Sequence, residues 1–215
     1  MLLWPISGRR KLVDQVATFH QESPVSVSPH PEFDRILEAM KGCRAVPWDG
    51  IAYRCTPKRY AFTLKVIDGL GSLERGGRWN PPEAFRVVYT SLDEWTALCE
   101  VIGKYGHYNI PPSAARPEPE VRVITPIGFQ LQSILPLTDP EILSILGLTI
   151  ERLVYEPWQK IQKSGREAIT QATGRAAWAL GFEGILAPSA VLDHGVNLAV
   201  FNDFVPFERM KIFGS

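Results

Sequence analysis

Four short stretches between residues 53 and 100 gather side chains suited to a charged, phosphorylated ligand. Tyr53-Arg54 and Tyr89-Thr90-Ser91 lie in β-forming runs, Gly76-Gly77-Arg78-Trp79-Asn80 fills a loop, and Glu100 follows in a helical pattern. A guanidinium offers a planar fork of donors that matches a diphosphate. Two consecutive glycines let backbone N–H groups come close to a phosphate. A nearby carboxylate is placed to steady a cation that develops as a bond breaks. Each residue alone also suits ordinary structure, since arginines pair on surfaces, tryptophans fill cores and Gly-Gly makes turns. The combination is what points to chemistry. Gly69-Leu70-Gly71 is not a dinucleotide fingerprint, because Glu74 stands where the third glycine is required.

The elements that must position these groups follow from periodicity. A strand over 51–55 presents Arg54, a glycine-rich loop runs over 68–82, and a second strand spans 87–90. Ser91-Leu92-Asp93-Glu94 fits a capping box, with Trp95, Leu98, Cys99 and Ile102 as the buried stripe of the helix that follows and Glu100 to one side. Further strands are expected over 121–124, 128–134, 185–187 and 198–201. Helices are expected over 139–146, 150–162 and 166–180, the last stopped by Gly181. Upstream, Leu12, Val16 and Phe19 suggest a helix over 11–21, Pro24, Pro29 and Pro31 mark a linker, and Phe33, Ile36, Leu37 and Met40 form a second helix ended by Gly42. The chain therefore divides into an N-terminal helical arm, 1–47, and a main domain, 48–215. With no regular βαβ alternation, the fold class is α+β with a curved, mostly antiparallel sheet and flanking helices.

Bulk properties narrow the partners. The 215 residues carry 23 Lys+Arg against 23 Asp+Glu, so no net field draws the chain to nucleic acid or an anionic membrane. Any bound anion is left to local arginines. No apolar run is long enough to span a bilayer, and the first apolar residues precede Arg9-Arg10-Lys11, the reverse of a secretory signal. A cytoplasmic location is expected. The three cysteines, Cys43, Cys55 and Cys99, are isolated and the four histidines dispersed, so neither a disulfide framework nor a metal site is expected.

Taken in order, Gly-Gly-Arg-Trp-Asn-Pro (76–81), Val-Val-Tyr-Thr-Ser (87–91) and Ala-Leu-Cys-Glu (97–100) resemble the RES domain of bacterial toxin–antitoxin pairs. A second block, 181–190 followed by 195–201, extends the resemblance over about 53–201 and leaves the arm uncovered. The family is named for an arginine, a glutamate and a serine, which here are Arg54, Glu100 and Ser189. The resemblance implies a compact ADP-ribosyltransferase-like fold whose cleft binds NAD⁺ as substrate, without a metal. It implies that Arg54 and Arg78 hold the diphosphate or its adjoining ribose, that Tyr89 and Tyr60 line the nicotinamide side, and that Glu100 faces the nicotinamide ribose. Ser189 is implied to orient Glu100 or the substrate, while Asn80 and Asn197 are implied to be structural. The ADP-ribosyl acceptor stays open between water, phosphate and a protein side chain, with Arg75 and Arg86 the arginines left for a phosphate. A catalytically inactive NAD-binding or antitoxin-binding module is the non-enzymatic alternative. The implied partners are a cognate Xre-type antitoxin and a second copy of the chain.

Overall fold

A computed structural model describes residues 27–106 and 121–214. The helix expected over 11–21 lies outside them. In chain order the elements are α1 (Phe33–Met40), β1 (Val46–Pro57), α2 (Leu70–Arg75), β2 (Val87–Ser91), α3 (Glu94–Gly106), β3 (Arg122–Pro136), α4 (Pro140–Leu146), α5 (Ile150–Tyr155), α6 (Trp158–Lys163), α7 (Ile169–Ala179), β4 (Gly184–Pro188), β5 (Val196–Phe201) and β6 (Met210–Ile212).

The strands form one sheet in the order β1-β2-β5-β4-β3-β6, and β1 also pairs along β3, so five strands close into a ring. Every pairing is antiparallel except β3–β4. Alternation along each strand sorts two cores. Ala52, Val88, Ile127, Leu198 and Val200 fill one face together with Val66 and Ile67. Val87, Ile185, Ala187, Ala199 and Phe201 occupy the other face, covered by Ile36 and Met40 of α1, Leu146 of α4 and Ile169 and Ala176 of α7. The α+β class with a curved antiparallel sheet holds.

Several elements differ from the sequence expectation. The strands expected over 121–124 and 128–134 are one strand, β3, that runs through Pro126, whose carbonyl still accepts from Phe213 N at 3.0 Å. The helix expected over 150–162 breaks into α5 and α6 at Glu156-Pro157, because proline lacks the N–H and clashes with the preceding turn. Helix α2 lies inside the expected loop, and β6 was not anticipated.

Helix α3 is the instructive case. Its cap is Asp93, not Ser91: Asp93 Oδ1 accepts from Thr96 N (2.8 Å) and Oδ2 from Thr96 Oγ1 (2.6 Å). Those bonds hold the Asp93 carboxyl below its usual range. The expected stripe also faces the wrong way, with Trp95 62% and Ile102 56% exposed while Thr96 and Ala97 are buried. Thr96 and Glu100 stand four residues apart and share the docked face. The helix is therefore turned to bring in a carboxylate rather than its largest apolar groups.

Among the described residues, no helix is long and apolar enough to cross a membrane, and no group of three or more His, Cys, Asp or Glu is placed to hold a metal.

Candidate active site

The site begins where an apolar sheet face turns polar. Down one face of β2 the side chains run Val87, Tyr89, Ser91, and the neighbouring face of β5 runs Phe201, Ala199, Asn197, in matched register. The last pair is hydrogen-bonded, Ser91 Oγ donating to Asn197 Oδ1 at 2.7 Å. The Asn197 amide is thereby oriented so that Nδ2 donates to Glu100 Oε1 at 2.5 Å. Ser189, just beyond β4, donates its hydroxyl to the same Oε1 at 2.8 Å. Its oxygen accepts from Val191 N and Leu192 N (both 3.2 Å), which fixes the rotor. Two neutral donors thus hold one oxygen of Glu100.

Arg78 supplies positive charge from the loop before β2. The loop is pinned by Tyr89, whose hydroxyl accepts from Trp79 N (2.9 Å) and donates to Asn80 Oδ1 (2.8 Å). Asn80, fully buried, donates to the Ser72 and Phe85 carbonyls at 2.8 and 3.1 Å. Close approach explains two glycines: a Cβ on Gly77 would lie 2.3 Å from the Tyr89 hydroxyl, and one on Gly174 in α7 would lie 1.8 Å from the Trp79 carbonyl. Arg78 Nη1 donates to the Leu153 carbonyl at 2.6 Å, one of those in the last turn of α5 that lack an intrahelical partner. Burial pulls the Arg78 guanidinium below its ordinary pKa, and the negative charge of Glu100, ahead of Tyr89 and Glu156, opposes that shift.

Arg54 sits across on β1, opposite Thr125 of β3. Its Nη1 is sealed from solvent and has no hydrogen-bond partner; Thr56 Oγ1 and Thr125 Oγ1, on the same sheet face, are likewise unpartnered. Burial lowers the Arg54 pKa to about 10, against the charge of Asp68. Burial also raises the Tyr89 phenol well above its usual value, despite the loop hydrogen bonds and the two arginines. Tyr89 is therefore neutral, with a committed hydroxyl.

The structure brings together Glu100 and Ser189 by direct contact, Tyr89 anchors the loop that carries Arg78, and Arg54 follows Tyr53, which pairs with Ser91. Tyr60 occupies the turn after β1, with Arg59 4.8 Å and Lys65 5.8 Å from its ring centre. Arg86 is not free for an anion, since Nε and Nη2 both grip Asp203 Oδ1 (3.0 and 2.9 Å). Asn80 is structural, as expected. Asn197 is more than that, because it touches Glu100. Its signal was a lone amide in the otherwise apolar run of β5. Gln171 and Glu156 escaped notice altogether. Gln171 Nε2 donates to the Gly77 carbonyl (3.0 Å), and Glu156 caps α7 through Ile169 N (2.9 Å) and Thr170 N (3.0 Å), next to the carbonyls that hold Arg78.

Comparison with known proteins converges on the same stretch. The RES domain model matches residues 51–212. The proteins named NAD(+) phosphorylase MbcT from Mycobacterium tuberculosis and Mycobacterium bovis are each 29% identical over 155 residues, covering 72% of this chain and 74% of theirs. A chain in the crystal structure of the M. tuberculosis MbcT–MbcA toxin–antitoxin complex superposes with a TM-score of 0.60 and 22% identity, over 82% of this chain and 88% of that one. At that identity the likeness speaks for the fold.

Proposed function

Because the chain belongs to the RES domain family, we propose that it is an NAD⁺-degrading toxin that breaks the nicotinamide–ribose bond and passes the ADP-ribosyl group to inorganic phosphate. The observation that carries the reading is the Glu100 carboxylate, one oxygen of which is held by Ser189 and Asn197, with the partly desolvated Arg78 facing its charge. The name of the curated relatives, NAD(+) phosphorylase, supports the acceptor.

The chemistry balances on these groups. The C1′–N bond breaks, its electron pair leaves with neutral nicotinamide, and positive charge spreads over ribose C1′ and the ring oxygen. That transition state resembles the oxocarbenium ion of glycoside hydrolysis. A phosphate oxygen then closes the C1′–O bond to give ADP-ribose 1″-phosphate, and the attacking oxygen of a phosphate dianion is already deprotonated, so no base has to take a proton from it. A carboxylate about 4 Å from the charge at an effective dielectric near 20 contributes roughly 4 kcal/mol, on the order of a thousandfold in rate. Arg54 and Arg78 bind the diphosphate, whose charge is the same before and after cleavage, so they act on binding rather than on turnover. Tyr89 offers its ring to the nicotinamide side, and Tyr60, in the turn after β1, is the second candidate ring. Residues 48–215 are the catalytic domain and 1–47 the arm. An antitoxin of the Xre type occludes the cleft in the cytoplasm, and the toxin pairs with a second copy.

Nicotinamide release from NAD⁺ by the purified chain, with and without phosphate and beside a Glu100→Gln variant, tests the reading. Phosphate-dependent release that the variant abolishes is expected. Release independent of phosphate makes water the acceptor. ADP-ribose found on lysate proteins makes it a protein side chain.

A further inference from the structure

The loop between β4 and β5, residues 189–195, meets helix α3 at two points one helical turn apart. Ser189, at one end of the loop, bonds Glu100 through its hydroxyl at 2.8 Å. Gly195, at the other end, lies against Thr96. A Cβ on Gly195 would come within 2.9 Å of Thr96 Oγ1 and 3.0 Å of both Thr96 Cγ2 and Ser189 Cβ. Thr96 and Glu100 are four residues apart, so they project from one face of α3 about 6 Å apart along it. Both sides of the contact are braced. On the loop side, Ser189 N donates to the Gly195 carbonyl (2.8 Å) and Gly195 N to the Leu192 carbonyl (3.1 Å), while Ser189 Oγ receives Val191 N and Leu192 N. On the helix side, Asp93 holds Thr96 by N and Oγ1, and Leu92 N donates to the Val196 carbonyl (2.9 Å), just past the loop. Backbone conformation does not demand a glycine here, since Gly195 is not among the residues of positive φ. The demand comes from the lack of room between two braced elements.

Resting on the proposed NAD⁺ cleavage, we infer that Gly195 and Thr96 are positioning residues for the reaction: their contact sets how closely the loop seats on α3 and so keeps Ser189 in reach of Glu100. Neither acts on the substrate directly; both act through the Ser189–Glu100 bond. The margin is small. Ordinary carbon contacts begin near 3.5 Å, so a methyl group on Gly195 has to push Ser189, Thr96 or both away by about 0.5 Å. That push is applied beside a 2.8 Å hydrogen bond, in the direction that parts its two elements. Glu100 is then left to Asn197 alone, which holds the same oxygen from β5. A carboxylate with one anchor in place of two is free to turn away from the developing cation.

The test compares nicotinamide release by the native chain, Gly195→Ala, Ser189→Ala and the variant carrying both changes. Gly195→Ala should lower kcat on the order of tenfold and leave KM for NAD⁺ within about twofold, because it disturbs the aim of Glu100 and not the groups that bind. The double variant should be no slower than the slower single one, since the bond that the glycine protects is already gone. Losses that multiply, to about a hundredfold, overturn the inference. An unchanged kcat in Gly195→Ala does so too. Adding Thr96→Ala to Gly195→Ala clears the space on α3 and should restore kcat several-fold, whereas a further fall marks a role in stability alone and overturns it. A crystal structure of Gly195→Ala reads the geometry without turnover. Ser189 Oγ is expected beyond about 3.5 Å from Glu100 Oε1, and an intact 2.8 Å bond overturns the inference. A native chain that releases no nicotinamide ends the proposed cleavage and leaves the positioning contact to be judged by that structure, so the two fail separately.

Discussion

Two kinds of carboxylate–arginine arrangement occur in this molecule, and they are finished differently. On the C-terminal flank Glu183 uses both oxygens, Oε1 accepting from Arg209 Nη2 (2.7 Å) and Oε2 from Arg209 Nη1 (3.0 Å) and Gln132 N (2.7 Å). Glu167 does the same with Arg175 Nε and Nη2 (2.7 and 2.8 Å) and His30 N (2.7 Å). In the cleft, Ser189 and Asn197 share one oxygen of Glu100, and Arg54 keeps a buried N–H with no partner. Structural pairs are saturated, because a half-satisfied buried charge is costly. The cleft is left incomplete, and the groups it leaves unmet describe the ligand that completes it.

The largest effects should separate the two arrangements cleanly. Glu100→Gln should lower kcat on the order of a thousandfold by removing the charge that meets the oxocarbenium ion, with little change in melting temperature. Glu183→Gln should do the reverse. It leaves the mostly buried Arg209 with only the Gln130 and Phe204 carbonyls and no carboxylate, at about 3 kcal/mol, which lowers the melting temperature on the order of 6–12 °C and leaves turnover alone. Steady-state kinetics and thermal melts on both variants check this. Equal damage to both properties in either variant would erase the distinction.

Arg54→Gln sharpens the contrast at the next level. KM for NAD⁺ should rise by at least about tenfold with a smaller change in kcat, since the diphosphate charge does not alter during cleavage. The fold should hold or gain stability. The sign follows from the depressed pKa: a base whose folded pKa falls to about 10 is held charged against the preference of the fold. That cost is present at every pH below about 10 and is relieved as pH rises through it, so the variant's advantage in melting temperature should persist from pH 6 to 9. Loss of stability over that range would place Arg54 with the saturated pairs. Asn197→Ala and Ser189→Ala should each cost about tenfold in kcat, because removing either donor frees Glu100 to turn.

Much of this was legible in the sequence, for physical reasons that differ by element. The strands around Arg54 and Tyr89 and the helix ended by Gly42 declare themselves by periodicity, and the glycine loop by its composition. Orientation was not legible. The apolar residues of α3 outnumber its polar ones, yet the helix docks through Thr96, Ala97 and Glu100, since the Asp93 cap and the hydrogen bonds to Glu100 fix its rotation. Likewise Ser91 looked like a cap and is a strand residue that orients Asn197. The pairing of Ser91 with Asn197 depends on a register between residues far apart in the chain, which no local pattern contains.

The smallest expected effect concerns an exposed arrangement, where neither saturation nor incompleteness should matter much. Glu32, just before α1, accepts from Arg35 Nη2 (2.7 Å) and from Arg152 of α5. The two guanidinium partners, Arg152 foremost, hold its carboxyl at about 2, below the ordinary 4.5. A depressed carboxyl contributes stability above its unfolded value, so the contribution is complete above about pH 4.5 and lost as pH falls toward 2. The group is about one-third exposed, and solvent and salt screen it. Glu32→Gln should therefore lower the melting temperature at pH 7 by only about 1–3 °C. The gap should close between pH 4.5 and 2 and shrink in high salt. Because α5 also supplies the Leu153 carbonyl that receives Arg78, the same variant asks whether the arm reaches the cleft. Unchanged KM for NAD⁺ would keep Glu32 a purely structural anchor. A rise in KM without further loss of stability would mean that the grip on α5 helps to aim Arg78.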